Sequence, residues 1–262
     1  MIEQPRLLVL AGRRSASLDP LAEAAGVTHK CLVPVAGEAM VGRVLRIADR
    51  AFPHSPLFVS VEDFAAIRHE PTVARLHAAG RLTPVEARHH IVDSLVTASE
   101  TTGFPLIITT ADNVLMTPEG MQALAALGVR DEADTIVMMS EKADILAAHP
   151  DGQRRFYRLR DGGFSNCNLF WMGSGKALKA AESFRLGGQF AKRKRDAARA
   201  LGLITLFLYA INAVTLAGMF RHFSRRFGVR IAAMVVRDGR LAIDVDNVRT
   251  KRVAEEILAR DA

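Results

Sequence analysis

The sequence predicts an α/β fold of three layers, helix on sheet on helix, around a mostly parallel mixed sheet. Three observations predict it. Short β-branched apolar runs alternate with segments of helical periodicity through the first half of the chain, as crossovers between parallel strands require. A later pair of runs flanks Asp161-Gly162-Gly163 and reads as a hairpin, which brings antiparallel pairing into the sheet. With 262 residues, 49% of them hydrophobic, the chain can bury a sizeable core. No repeat, low-complexity tract or composition shift marks a linker. Residues 1–262 are therefore expected to form a single domain, with a helical insert at about 174–227 near the C-terminal third.

The elements follow in order. "RLLVLAG" reads as a buried strand ending at Gly12. In "EAMVGRVLRIADRAF" the apolar residues Met40, Val44, Ile47 and Ala48 fall at helical spacing. "PLFVSV" is the second strand, and "HHIVDSLVTASETTG" the second helix, with Gly103 as its stop. "FPLIITTA" is the third strand. "TPEGMQALAALG" opens a helix with Thr117 as N-cap and Pro118 in the first turn, and Gly128 is expected past its end. "DTIVMMSE" is the fourth strand, and "RRFYRLRDGGFSNCNLFWM" the hairpin. A final strand pair, "VRIAAMVV" and "LAIDVD", leads into a closing helix, "NVRTKRVAEEILAR".

Charge and cysteine content narrow the function classes. The net charge of +7 and a pI of about 9.9 favour anionic partners: nucleotides, phosphorylated metabolites, nucleic acid or an acidic membrane surface. Two tyrosines and one tryptophan offer no evident stacking platform, so nucleic acid is not expected. Cys31 and Cys167 form no C-x-x-C pair, which excludes a disulfide framework or a structural zinc site and fits a reducing cytoplasm. The apolar run in "MIEQPRLLVLAGRR" is too short for a signal-peptide core.

In parallel sheets ligands bind beyond the carboxyl ends of the strands. "AGRR", "TTADN" and "DVDN" are expected to converge there. Asp112 follows a buried strand; it reads equally as a turn former or as a ligand for a hard cation, since Mg²⁺ prefers carboxylate together with phosphate oxygens. Asp244 and Asp246 point to one side if their segment is extended, and either of them, or Asn247, can cap the final helix. Gly12 allows a sharp turn, and Arg13, Arg14 and Lys30 bring positive charge. The stretch has the glycine pattern of neither a Walker loop nor a dinucleotide fingerprint.

Strand, "LAG", basic residues and then "HK-x-L-x-P-V-x-G-x-x-M" resemble the opening of the nucleoside-triphosphate transferase superfamily. That group includes molybdenum-cofactor guanylyltransferases, sugar-1-phosphate nucleotidyltransferases and the methylerythritol-phosphate cytidylyltransferase. "TTADNVLMTPEGMQAL" resembles its metal-aspartate motif, "SNCNLFWM" its substrate-side strand with Asn168 at the polar position, and "IDVDNVRTKRVAEEIL" its closing D-x-D-x-x-x-D segment. The resemblance implies a Rossmann-like three-layer α/β/α fold. It also implies a catalytic set of Lys30, Asp112 and Asp246, with Mg²⁺ on Asp112 and on Asp246 or Asp244. Ala11, Gly12, Arg13 and Arg14 would surround base and phosphates, and Ser94 falls near a base-recognition position. The implied reaction moves a nucleotidyl unit from a nucleoside triphosphate, CTP preferred, to a small phosphorylated acceptor and releases pyrophosphate. The usual G-G-x-G-x-R loop is reduced to Gly12 and two arginines, and Arg249-Thr250 replaces the last acid of the closing motif. The alternative is a non-catalytic nucleotide-binding or regulatory protein of the same fold.

Residues 191–228, "AKRKRDAARALGLITLFLYAINAVTLAGMFRHFSRRFG", depart most from that pattern. Asn212, Thr215 and Gly218 interrupt the apolar run, so two helices are expected rather than a membrane span. The second places Leu216, Met219, Phe220, Phe223 and Phe227 on one face, with Arg221, His222, Arg225 and Arg226 on the other. Two readings stand: a helical cap on the sheet or a homodimer interface, and a patch resting on anionic lipid at the inner face of the membrane. The run Lys192-Arg193-Lys194-Arg195 reads as a solvated face or, through Lys194, as a grip on substrate phosphate.

Overall fold

A computed structural model describes residues 4–13, 17–179, 181, 209 and 211–261. The chain starts with β1 (Arg6–Leu10) and a short α1 (Pro20–Ala24), then a 3₁₀ turn at Lys30–Leu32. A two-residue hairpin, β2 (Pro34–Val35) and β3 (Glu38–Ala39), leads into α2 (Met40–Ala51). Next come β4 (Leu57–Val61), α3 (Phe64–Ile67), α4 (Pro71–Ala78), β5 (Leu82–Glu86), α5 (Ile91–Thr102) and β6 (Leu106–Thr110). They are followed by α6 (Pro118–Arg130), β7 (Thr135–Glu141), α7 (Lys142–Ala148), β8 (Tyr157–Leu159) and β9 (Gly162–Met172). The described chain closes with α8 (Leu216–Phe227), β10 (Ile231–Val236), a 3₁₀ turn at Gly239–Ala242 and α9 (Val248–Arg260).

The strands form one mixed sheet in the order β10-β7-β9-β6-β1-β4-β5, with β8 paired to β9. Neighbours run parallel except at β9, which lies antiparallel between β6 and β7. One face carries Leu7, Val9, Val59 and Ile107 under α2, α4, α6 and α9. The other carries Leu8, Phe58 and Ile108 against Ala98 of α5, and Val137 and Met139 against α8. This is the three-layer α/β fold with the mostly parallel mixed sheet expected from the periodicity.

Local chemistry sets the helix limits. Thr117 caps α6, its Oγ1 accepting from Gly120 N at 3.1 Å, and Pro118 occupies the first turn. Gly103 ends α5 with φ +70°, a conformation that favours glycine. Gly128, expected beyond α6, lies inside it. A Cβ there would stand 2.3 Å from Trp171 Cε2, so the glycine is needed for close helix–sheet approach rather than for a stop. The hairpin turn is Arg160-Asp161, and Gly162 already belongs to β9.

One expectation about the C-terminal part is corrected. "LAIDVD" is not a strand. Asp238 accepts from Arg240 N at 3.1 Å and starts the 3₁₀ turn, and Gly239 packs so closely on α7 that a Cβ would lie 2.2 Å from Asp144 O. The segment thus turns under α7, and of the expected strand pair only β10 joins the sheet, beside β7. The final helix is capped by Asn247, not by either aspartate, in a capping box with Thr250. α8 buries Leu216, Met219 and Phe220 against the sheet, so that part of its apolar stripe serves as a cap on the sheet, while Phe223 and Phe227 are half-buried. Among the described residues no helix is long and apolar enough to cross a membrane. Lys194, and residues 201–208 and 210 of the apolar run, lie outside them.

The contact between Gly128 and Trp171 is testable. Gly128→Ala should lower stability by about 1–3 kcal/mol through overpacking, despite the better helix propensity of alanine. Urea denaturation measures it, and a variant as stable as the wild type would contradict the packing.

Candidate functional site

The site forms where β1 and β6 end side by side. Leu10 and Thr110 are register partners in a parallel pair, so the turns that follow them leave the sheet at one edge. Ala11 is buried and donates its amide to Ser60 O at 2.8 Å. Gly12 follows, and a Cβ there would stand 2.8 Å from the Cβ of Ala87, which explains the small residue. Arg13 is exposed, with its amide hydrogen-bonded to the Glu62 carboxylate. Arg14 lies outside the described residues.

Three residues distant in sequence meet at this edge. Lys30, at the start of the 3₁₀ turn, donates from Nζ to Asp112 Oδ2 at 2.7 Å and to Asp246 Oδ1 at 2.9 Å. Burial alone would pull the ammonium down, but the two carboxylates outweigh it and raise its pKa, so Lys30 is charged. Asp112 is buried at the end of β6, whereas the Asp246 side chain is about half-exposed, at 55%. The closing segment is docked by its backbone: Val245 N donates to Asp112 O at 3.0 Å. Thr250 Oγ1 accepts from Asp246 N at 2.9 Å and from Asn247 N at 3.1 Å. Thr250, which stands where the closing motif usually has an acid, therefore fixes the backbone of Asp246.

Asp244 joins the cluster from behind. Its Oδ2 accepts from Asn168 Nδ2 at 2.6 Å, and its Oδ1 is buried with no hydrogen-bond partner among the described residues. Burial first, then the neighbouring Asp112 and Asp246 charges, hold this carboxyl well above the usual carboxylate range. Asn168 itself has φ +46°, and its amide N and side-chain oxygen both bond to Asn166. Asp244 and Asp246 do not share one side of an extended segment, because Asp246 N folds back onto Asp244 O at 3.1 Å.

The cluster offers oxygen donors and one ammonium. Among the described residues no group of three or more His, Cys, Asp and Glu side chains stands ready to hold a metal. The protein therefore presents two carboxylates around Lys30 and an unsatisfied oxygen of Asp244, a donor set suited to a hard cation that takes its other ligands from phosphate and water.

Ser94 makes no hydrogen bond to the Lys30 cluster; its partner Arg88 lies next to Ala87, which packs on Gly12. Its Oγ accepts from Arg88 N at 2.8 Å and faces the carbonyls of Arg88 and His90 at 3.2 and 3.3 Å, which ties the turn before α5. Three contributors escaped the sequence reading: Thr250, Asn113 and His29. His29 is buried beside Lys30; its Nε2 has no partner among the described residues, and burial, then Arg13, lowers its pKa. The motif "HK" was the signal for it.

Neither a protein-family model nor a curated protein matches the sequence. Solved structures do. The chain is similar to a hypothetical transferase from Thermus thermophilus at 24% identity and a TM-score of 0.74, over 95% of this chain and 99% of that one. It is similar to CMP:2-keto-3-deoxy-manno-octonic acid synthetase complexed with CTP at 12% identity and a TM-score of 0.60, over 99% and 100% of the two chains. It is also similar to 4-diphosphocytidyl-2C-methyl-D-erythritol synthase from Anaerococcus prevotii at 9% identity and a TM-score of 0.57, over 98% and 97%. The likeness is one of fold: the chain has a nucleotidyltransferase-type α/β fold along nearly its whole length.

Removing the ammonium leaves Asp112 and Asp246 facing each other without their counter-charge. Lys30→Met should cost about 2 kcal/mol, less than a fully buried pair because Asp246 is half-exposed. Adding Asp246→Ala to it should recover part of that loss in chemical denaturation. A double variant no more stable than Lys30→Met would contradict the account.

Proposed function

We propose that the protein is a nucleotidyltransferase that moves a nucleoside monophosphate unit from a nucleoside triphosphate to a small phosphorylated acceptor, releasing pyrophosphate. The observation that carries this reading is the Lys30 ammonium shared by Asp112 and Asp246 at the carboxyl edge of the sheet. An oxygen of the acceptor phosphate attacks the α-phosphorus in line. The new P–O bond forms as the bond to the β-phosphate oxygen breaks, and pyrophosphate leaves with that electron pair. Such a transfer needs little proton chemistry, so positioning and charge stabilisation supply most of the rate.

Each residue then has a task. Lys30 gives positive charge to the triphosphate, exchanging carboxylate oxygens for phosphate oxygens. The turn at Ala11, Gly12 and Arg13 brings backbone and a guanidinium to the same edge, and Arg14 would extend that charge. Asp112 and Asp246 would hold Mg²⁺, with Asp244 behind them, and the ion would supply positive charge to neutralise the phosphates. Asn168 holds Asp244 in place. CTP is the preferred triphosphate, and the CTP complex of one fold neighbour supports it as the first to test. Peripheral contact with anionic lipid would rest on the basic face of α8, where Arg221 and Arg225 are exposed.

Pyrophosphate release with the four ribonucleoside triphosphates, Mg²⁺ and a panel of sugar and alcohol phosphates tests the reading. Turnover is expected with one triphosphate, and Asp112→Ala should reduce it by about a thousandfold or more while the far-ultraviolet dichroism stays that of the wild type. Near-normal turnover in that variant would rule out the proposed role. Triphosphate binding without turnover across the panel would favour a non-catalytic nucleotide-binding protein.

A further inference from the structure

Beside the acidic cluster the β7–β9 ladder is broken. Val137 pairs with Phe170 and Met139 with Asn166, so Met138 alone stands opposite three residues of β9, Cys167, Asn168 and Leu169. On the other side the β6–β9 register ends at Thr109 and Leu169. Cys167 and Asn168 thus lie outside both ladders, although Cys167 is fully buried. A buried carbonyl outside a ladder must find another donor.

Asn113 is that donor. It follows Asp112 directly, is fully buried, and its Nδ2 donates to Cys167 O at 2.9 Å and to Thr109 Oγ1 at 3.1 Å. One carboxamide therefore joins the end of β6 to the bulge of β9. The next residue, Asn168, takes the left-handed conformation there and spends its own carboxamide on Asp244 at 2.6 Å. Asparagine tolerates that conformation better than most residues, but it persists only where the surroundings fix it.

We propose that Asn113 is a positioning residue for the acidic cluster: by holding the Cys167 carbonyl at the bulge, it keeps Asn168 where its amide grips Asp244. The catalytic part of this inference rests on the reaction proposed above; the clamp itself does not. Asn113 makes no hydrogen bond to Lys30 or Asp246; its path to Asp244 runs through the Cys167 carbonyl and Asn168.

The clamp is read in the ligand-free protein by nuclear magnetic resonance of the Asn168 side-chain amide. In the wild type one of its two protons is bonded to a carboxylate, so the pair should be widely split. Asn113→Ala should collapse that splitting toward the value of a free amide, as Asp244→Ala should. It should also lower kcat for pyrophosphate release by roughly 10- to 100-fold, the usual cost of losing a supporting group, with KM for the triphosphate little changed. A folded Asn113→Ala protein that keeps the wild-type splitting overturns the inference, and so does a collapsed splitting with unchanged kcat. If the alanine variant does not fold, Asn113→Ser, too short to reach the Cys167 carbonyl, is read in the same way. Failure of both to fold would show a purely structural role and would also overturn it. Absence of turnover in the wild type would defeat the proposed reaction, while the amide signal would still decide the clamp.

Discussion

Lys30 is the charge on which the sheet edge depends. Its ammonium joins Asp112, 82 positions away, to Asp246, 216 positions away. Without it, two carboxylates would meet beside a third that is already short of solvent, and their repulsion would push apart the end of β6 and the segment before α9. The pair is only partly buried, with Lys30 at 22% and Asp246 at 55% exposure, so the interaction is strong enough to organise the edge and open enough to exchange partners. An anionic ligand can take the ammonium from the carboxylates, and a cation can take the carboxylates from the ammonium. This exchange makes the cluster a candidate reaction centre rather than a structural ion pair.

The rest of the fold positions that exchange. Parallel register brings the ends of β1 and β6 to one level, and the hydrogen bond from Val245 to the carbonyl of Asp112 pulls the closing segment beside them. Thr250 fixes Asp246 through its backbone amide, while Asn168 fixes Asp244 through its side chain. Two neighbouring aspartates are therefore held in different ways and serve differently. Asp246 is exposed and exchangeable; Asp244 is half-buried with its Oδ1 shut from solvent, and its carboxyl resists ionisation.

Where the sequence was legible, the signal was local. Apolar runs marked β1, β4, β6 and β7, and Thr117-Pro118 and Gly103 marked helix limits because capping depends on a few neighbouring residues. Asp112 could be named because it follows a strand that ends at the ligand edge, whereas the roles of Lys30 and Asp246 came from the motif resemblance. The path of "LAIDVD" could not be read locally: its alternating pattern suits a strand, but Gly239 wedged on α7 and the Asp238 cap turn it away. The same holds for Asn113 and Thr250. Their partners, Cys167 O and Asp246 N, are backbone groups freed by a bulge and a turn, which no side-chain pattern announces. α8 was legible as amphipathic, but which of its faces met the sheet depended on Val137 and Met139 lying beneath it.

The central claim is that this edge binds a nucleoside triphosphate through Lys30. Calorimetric titration of each ribonucleoside triphosphate with Mg²⁺ into the wild type and Lys30→Met tests it most directly. The account predicts saturable, one-site binding of at least one triphosphate, weakened by about tenfold or more in the variant, as loss of a charge-assisted contact of 1.4 kcal/mol or greater implies. Equal affinity in the two proteins, or no binding of any of the four by the wild type, would contradict it.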